Sequence, residues 1–241
     1  MAGFRTALFQ DVSSSATKRC TGGSCFIQIP TDYNQFGKWD DTHAVFPEFF
    51  ISICTKNGGY FDGGILRRDG YWAAFVNGGL NGNNSWIEKR LPDITGQNVE
   101  VKFKGKKFGN DKYLCLYVNG NLVIKLNRYL PEDKPLGTIA EEAADGNVYK
   151  VTHELNLVPK SSTHYVSNSI GYGRAYFRNA KISEAIPVDE SGFALPYSHS
   201  KVVNCDSNTY PPYVVNECCT VTGFHSKGFT SSIDFNNTAA V

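Results

Sequence analysis

The chain is predicted to be all-β: a two-sheet antiparallel β-sandwich or jelly roll, with a C-terminal extension stapled to it by disulfides. Three observations predict this. Short apolar segments with period-two order recur along the 241 residues, separated by Gly- and Asn-rich turns. Aromatic residues make up 13% of the chain, alongside 23 glycines and a single methionine, a composition suited to strands joined by tight turns. The only helix-like stretch is TIAEEAAD at 138–145, expected to be a short surface turn in a connection.

The strand segments follow in order. Residues 24–30 (SCFIQIP) and 43–55 (HAVFPEFFISICT) come first, then 63–68 and 70–77 (GYWAAFVN), then 84–90. Along 70–77, Trp72, Ala74 and Val76 share one face, and Tyr71, Ala73, Phe75 and Asn77 the other. In 98–104 Val99, Val101 and Phe103 alternate with Glu100, Lys102 and Lys104, the pattern of a sheet with one wet side. Residues 112–118 and 121–127 flank Asn119-Gly120, a pair that accepts positive φ at both central positions and so predicts a type I′ hairpin. Its first arm turns Leu114, Leu116 and Val118 inward; on the second arm Leu122, Ile124 and Leu126 are expected to share one face. Further strands are expected at 148–158, 163–169, 173–186 and 227–235. The sandwich is placed at 20–190, with an N-terminal arm at 1–19 and a C-terminal extension at 191–241 packing on it.

Charge and cysteine content bound the function. The net charge of +1, with interspersed signs, gives no basic stripe, so nucleic acid is not an expected partner. No apolar run approaches the roughly 20 residues of a membrane-spanning helix. The N-terminal MAGFRTALFQDVSSS lacks the apolar centre of a signal peptide, so either the protein stays inside the cell or a leader has been removed. Of the seven cysteines, Cys20 and Cys25 bracket TGGS and are candidates to close a small loop, and Cys205 is a candidate to pair with Cys218 or Cys219. Cys54 and Cys115 lie inside strand patterns and read as small core residues. The cysteine clusters, with sequons at Asn83 and Asn236, lead to the expectation of an extracellular or cell-surface protein.

Candidate ligand-binding residues are aromatic and polar side chains near turns. Trp39 beside Asp40 and Asp41 offers an indole for stacking on a sugar face and carboxylates for its hydroxyls, or else plugs one end of the sandwich. Tyr71 and Trp72 must point to opposite faces. The loop NGGLNGNNSW presents Asn83 and Trp86, or is a turn bearing a glycan. Arg67 offers a guanidinium for an acidic sugar, or solubilises a strand. Calcium is a weak candidate, because that loop has no carboxylate; no other cofactor is expected.

The succession FFISICTKNGGYFDGGILRRDGYWAAFVNGG, VEVKFKGKKFGNDKYLCLYVNGNLVIKL and GYGRAYFRNAKISEA resembles the concanavalin A-like lectin/glucanase superfamily in its laminin-G-like form, over residues 40–186. The resemblance implies a jelly roll whose sheet face or rim loops bind glycans. The superfamily's glucanases carry an E-x-D-x-E strand, and none occurs here. The acidic pairs Asp40-Asp41, Glu141-Glu142 and Asp189-Glu190 are adjacent and would point to opposite strand faces, which disfavours glycoside hydrolysis. GRAYFRNA is loosely similar to the closing strand of alginate-type lyases, which would make Tyr176 or a histidine the base and Arg174 the neutralising cation. The FIQIPT segment resembles their Gln-Ile-His strand with proline in place of histidine, and their Arg-x-Glu-x-Arg strand is missing. The expected function is therefore non-catalytic binding of a polysaccharide or glycan. The alternatives are a polysaccharide lyase and a structural or adhesive surface protein.

Overall fold

The computed structural model describes residues 4–13, 19–35, 38, 44–56, 59–79, 85–126, 136–159, 175–205 and 218–234. They form two antiparallel sheets. Sheet I contains β1 (Phe4–Val12), β4 (Val45–Thr55), β5 (Tyr60–Arg68), β6 (Tyr71–Gly79), β7 (Ser85–Arg90), β11 (Val148–Pro159) and β13 (Tyr197–Cys205), in the order β13-β1-β11-β4-β5-β6-β7. Sheet II contains β2 (Gly22–Gln28), β8 (Asn98–Phe108), β9 (Asp111–Val118), β10 (Asn121–Leu126), β12 (Tyr176–Val188), β14 (Cys219–His225) and β15 (Gly228–Asp234), in the order β10-β9-β8-β2-β12-β15-β14. The two-residue β3 (Tyr33–Asn34) pairs with β12. A helix, α1 (Leu136–Ala144), precedes β11.

The all-β class and the two-sheet antiparallel architecture agree with the alternation in the sequence. Val99, Val101 and Phe103 are fully buried while Glu100 and Lys102 are only half-buried. Asn119 and Gly120 have φ of 50° and 76°, the positive pair that the hairpin turn requires. Between the sheets, Phe49, Ile51 and Trp72 of sheet I meet Phe103, Leu116 and Phe177 of sheet II in one continuous core. Gly63 is one point of close approach: a Cβ there would lie 2.5 Å from the Phe103 ring.

Several expectations need correction. The described residues of the segments 1–19 and 191–241, expected as an arm and an extension, include sheet strands. β1 lies between β13 and β11 inside sheet I, and β14 and β15 complete sheet II, so both ends of the chain supply sheet strands. Cys20 and Cys25 form no disulfide; both are buried thiols. The glycines between them belong to an extended strand, not a loop, and five residues at about 3.3 Å each separate the pair beyond the reach of a disulfide. The Cys205 side chain lies outside the described residues, and with it any pairing to Cys218 or Cys219. On β10 the register shifts between Leu122 and Ile124, so Leu122 opposes Tyr117 and is 40% exposed, while Ile124 opposes Leu116 in the core. The helix is more than a surface turn: Ala140, Ala143 and Ala144 are buried, and Gly105 of β8 has no room for a Cβ, which would meet the Ala143 backbone at 2.2 Å.

One polar network crosses the interior. Gln10 Nε2 donates to the carbonyls of Ala185 and Ser226, at 2.8 and 3.1 Å, and Gln10 Oε1 lies 3.0 Å from His153 Nε2. An amide oxygen only accepts, so Nε2 of His153 must carry the proton. Its Nδ1 is then a buried acceptor without a partner. Burial holds the imidazole pKa down to about 3, so the ring is neutral.

Candidate functional site

The outer face of sheet I, turned away from the sandwich interior, carries most of the chemistry. β4 reads VFPEFFISICT, and its period puts Phe49, Ile51 and Ile53 inside and Glu48, Phe50 and Ser52 outside. β11 alternates in the same way. Val151, Leu155 and Leu157 are inside, and Glu154 and Asn156 lie on the outer face. Asp62 of β5 pairs with Ser52 and with Asn77 of β6, and Asn156 pairs with Glu48. Strand register thus gathers onto one face polar residues that lie far apart in the chain.

These side chains surround a recess of about 230 Å³. Its floor contains Glu48, Asn77, Glu154 and Asn156, all nearly inaccessible, and its rim contains Arg5, Tyr60 and Asp62. Asn156 Nδ2 donates to Glu154 Oε2 at 2.9 Å, and Arg5 Nε stands 3.9 Å from the same oxygen. Glu48 Oε1 and Asn156 Oδ1 have no hydrogen-bond partner. Burial, and then the negative charges of Asp62 and Glu154, push the Glu48 carboxyl up to about 8, so it is largely protonated at neutral pH. The Tyr60 hydroxyl is also shifted upward, by burial and by Asp62.

The recess is extended on both sides. Beyond Arg5, Ser52, Tyr60 and Glu154 it continues into a second hollow of about 260 Å³, which ends at Phe9, Tyr149 and Lys150. Tyr149 is 46% exposed, and Lys150 Nζ sits 4.2 Å above the Phe9 ring. On the other side Phe50 packs edge-on against Phe75, which stacks on Trp86 with centroids 5.0 Å apart and planes at 12°. Trp86 Nε1 donates to Glu88 Oε2 at 3.3 Å, and the Tyr71 hydroxyl donates to Glu88 Oε1 at 3.1 Å. Arg68 ion-pairs with Glu88 at 2.9 Å, and the Arg90 guanidinium lies 4.8 Å over the Tyr71 ring. Two larger hollows, of about 360 and 380 Å³, border Arg19 and Leu122 respectively. Among the described residues, neither is lined by a buried polar side-chain atom lacking a partner.

Of the residues singled out from sequence, Tyr71 and Trp86 lie on this face. Trp72 lies on the opposite one. It is 1% exposed, its Nε1 donates to Thr95 Oγ1 at 3.0 Å, and Tyr33 meets it edge-on, so it is a core residue and not a sugar platform. The Arg67 guanidinium is held over the rings of Tyr33 and Trp72, at 5.6 and 5.8 Å. Tyr176 begins β12 in sheet II, where its hydroxyl binds Asp32 and its ring carries the Arg178 guanidinium at 4.4 Å. Trp39, Asp40, Asp41, Asn83 and Arg174 lie outside the described residues.

The sequence reading missed Arg5, Glu48, Asp62, Asn77, Glu154 and Asn156. A signal for two of these strands was present. Glu48 interrupts an otherwise apolar run, and Glu154 and Asn156 alternate with buried leucines. A scan for adjacent acidic residues passes over carboxylates that only strand pairing brings together.

The chain matches no protein-family model and no curated protein sequence.

Proposed function

We propose that the protein binds a saccharide along the outer face of sheet I and does so without catalysis. The observation that carries this is the pair of bare acceptors, Glu48 Oε1 and Asn156 Oδ1, buried at directly paired strand positions in a polar recess. Buried polar groups are ordinarily hydrogen-bonded, so two bare ones facing a cavity call for a donor-rich ligand, such as a sugar with its hydroxyls. Trp86 and Tyr71 to one side, with Tyr60 and Tyr149 to the other, supply amphipathic rings for the apolar faces of neighbouring sugar units. A jelly-roll relationship to concanavalin A-like lectins belongs to the same proposal and is supported by the two-sheet antiparallel architecture. The test is calorimetric titration with neutral oligosaccharides of three to six units. Saturable binding that falls in Trp86→Ala supports the proposal, and the absence of binding across a broad glycan panel refutes it.

A second function, hydrolysis of a glycosidic bond, is favoured by one observation. Two carboxyls on this face have contrasting surroundings: Glu48 is desolvated with a bare oxygen, while Glu154 has Arg5 and Asn156 against it. Reducing-end release from bound oligosaccharides would reveal it. A lyase using Tyr176 has no such support. Its hydroxyl is shifted upward by its hydrogen bond to Asp32, the wrong direction for a base, and it stands in the other sheet. Extracellular placement rests on the two sequons, since Cys20 and Cys25 give no disulfide argument for it.

A further inference from the structure

We infer that the recess between β4, β5, β6 and β11 selects a sugar unit bearing a free, protonated amino group in preference to a neutral sugar. The inference rests on the saccharide proposal above and names the class of saccharide. Three carboxyl groups, Glu48, Asp62 and Glu154, line the recess with the guanidinium of Arg5, and Glu48 also feels the N-terminal ammonium. Lys150, which lines the adjoining hollow together with Arg5, sits over Phe9 at its far end. Both bare buried atoms of the recess belong to groups that accept, a carboxyl oxygen and an amide carbonyl oxygen. A hydroxyl brings one proton and two lone pairs, whereas an ammonium brings three protons and no lone pair. Once Glu48 gives up its proton, the ammonium fits a recess lined by three carboxyl groups and a bare amide oxygen better than any hydroxyl does. Among the described residues no group of carboxylates stands close enough to hold a metal ion, so a dehydrated divalent cation is the poorer match for the same charge.

The Glu48 carboxyl provides a proton readout. It is largely protonated at pH 7 when the recess is empty. An ammonium placed against it favours the ionised form, so binding releases up to one proton to solvent. The bond lost is the O–H of Glu48, the proton goes to buffer, and the ligand keeps its own protons.

The experiment titrates the whole chain with three β-1,4-linked trimers that differ only at carbon 2: glucosamine, N-acetylglucosamine and glucose. Each titration is repeated at pH 5.5, where the sugar amine already carries its proton and Glu48 is still protonated, in two buffers of different ionisation enthalpy. The expected result is that the glucosamine trimer binds at least about tenfold more tightly than either neutral trimer, a preference worth about 1.4 kcal/mol. Its binding alone should show buffer-dependent heat corresponding to proton release. Glu48→Gln and, separately, Asp62→Asn should reduce that preference, and Glu48→Gln should abolish the proton release. The proton measurement on the unaltered protein stands even if a variant misfolds. Equal binding of all three trimers overturns the ammonium inference and leaves the saccharide proposal intact. Failure of all three, and of the broader panel, removes both. A glucosamine preference unchanged in both variants, or matched by calcium binding that Glu48→Gln abolishes, also overturns it.

Discussion

Glu48 and Asn156 face each other across the β4–β11 ladder, and each ends in a buried oxygen that no protein donor reaches. A fold selected for stability alone would fill that position with apolar or mutually bonded side chains, because an unsatisfied buried polar group costs about 1–3 kcal/mol. Keeping both is what the proposed binding site requires, since a ligand would supply the missing donors.

Glu48→Gln should therefore stabilise the protein while weakening its binding. Folding raises the Glu48 carboxyl from an ordinary value near 4.5 to about 8, so between those limits the folded state holds more protons than the unfolded one. Stability then falls as pH rises through that window, with a slope approaching about 1.4 kcal/mol per pH unit. The amide does not titrate. The melting temperature of Glu48→Gln should exceed that of the parent by a margin that grows from pH 4.5 to pH 8. A margin independent of pH would contradict the protonated state assigned to Glu48.

His153 titrates with the opposite sign. Burial lowers its pKa from 6.5 to about 3, so the unfolded state binds the extra proton between those values and stability falls as pH drops. Between pH 4.5 and 6.5 the Glu48 and His153 slopes oppose each other. The stability contributed by these two groups should be level there, falling on the acid side through His153 and on the alkaline side through Glu48. In His153→Gln the acid-side fall should shrink, as read by urea midpoints at pH 3.5, 5.5 and 7.5.

The hairpin at Asn119-Gly120 was legible because its information is local: two residues tolerant of positive φ between two alternating runs. The alternation at Tyr71 and Trp72 was legible as two faces. Which of them points inward is decided by Thr95, Tyr33 and Phe49, residues from three other parts of the chain that enclose the Trp72 indole. The bulge at Leu122 left no local mark, since an extra residue in one strand is defined only against its partner. The recess was hidden for the same reason. Glu48, Asp62 and Glu154 each look like an isolated acid in an apolar strand until register sets three strands side by side.

Trp72 and Trp86 should behave as opposites. Trp72→Ala opens a hole in the core and strands the Thr95 hydroxyl bond, so a loss of about 3–5 kcal/mol is expected in denaturant unfolding. Trp86 is half-buried and stacked on the outer-face residue Phe75, so Trp86→Ala should cost less stability and more saccharide affinity. Unfolding curves paired with titrations of both variants check this. Equal loss of binding in the two, once each is compared at matched folded fraction, would count against the outer face as the binding surface.

The thiols of Cys20 and Cys25 should be inert in the folded protein. Cys20 is 2% exposed and Cys25 1% exposed. Burial pushes the Cys20 thiol up to about 12 and the Cys25 thiol in the same direction, so neither supplies the thiolate that reacts. In the native state, alkylation by iodoacetamide at pH 8 followed by peptide mapping should leave both unmodified, and both should be labelled once the chain is unfolded. Neither should require reduction first. A β2 that keeps Gly22 and Gly23 extended against Lys104 and Phe103 cannot bring the two sulfurs together. Recovery of a Cys20–Cys25 disulfide peptide would mean that this strand is not paired in solution as it is here, and with it the placement of β8 and the helix over Gly105 would fall.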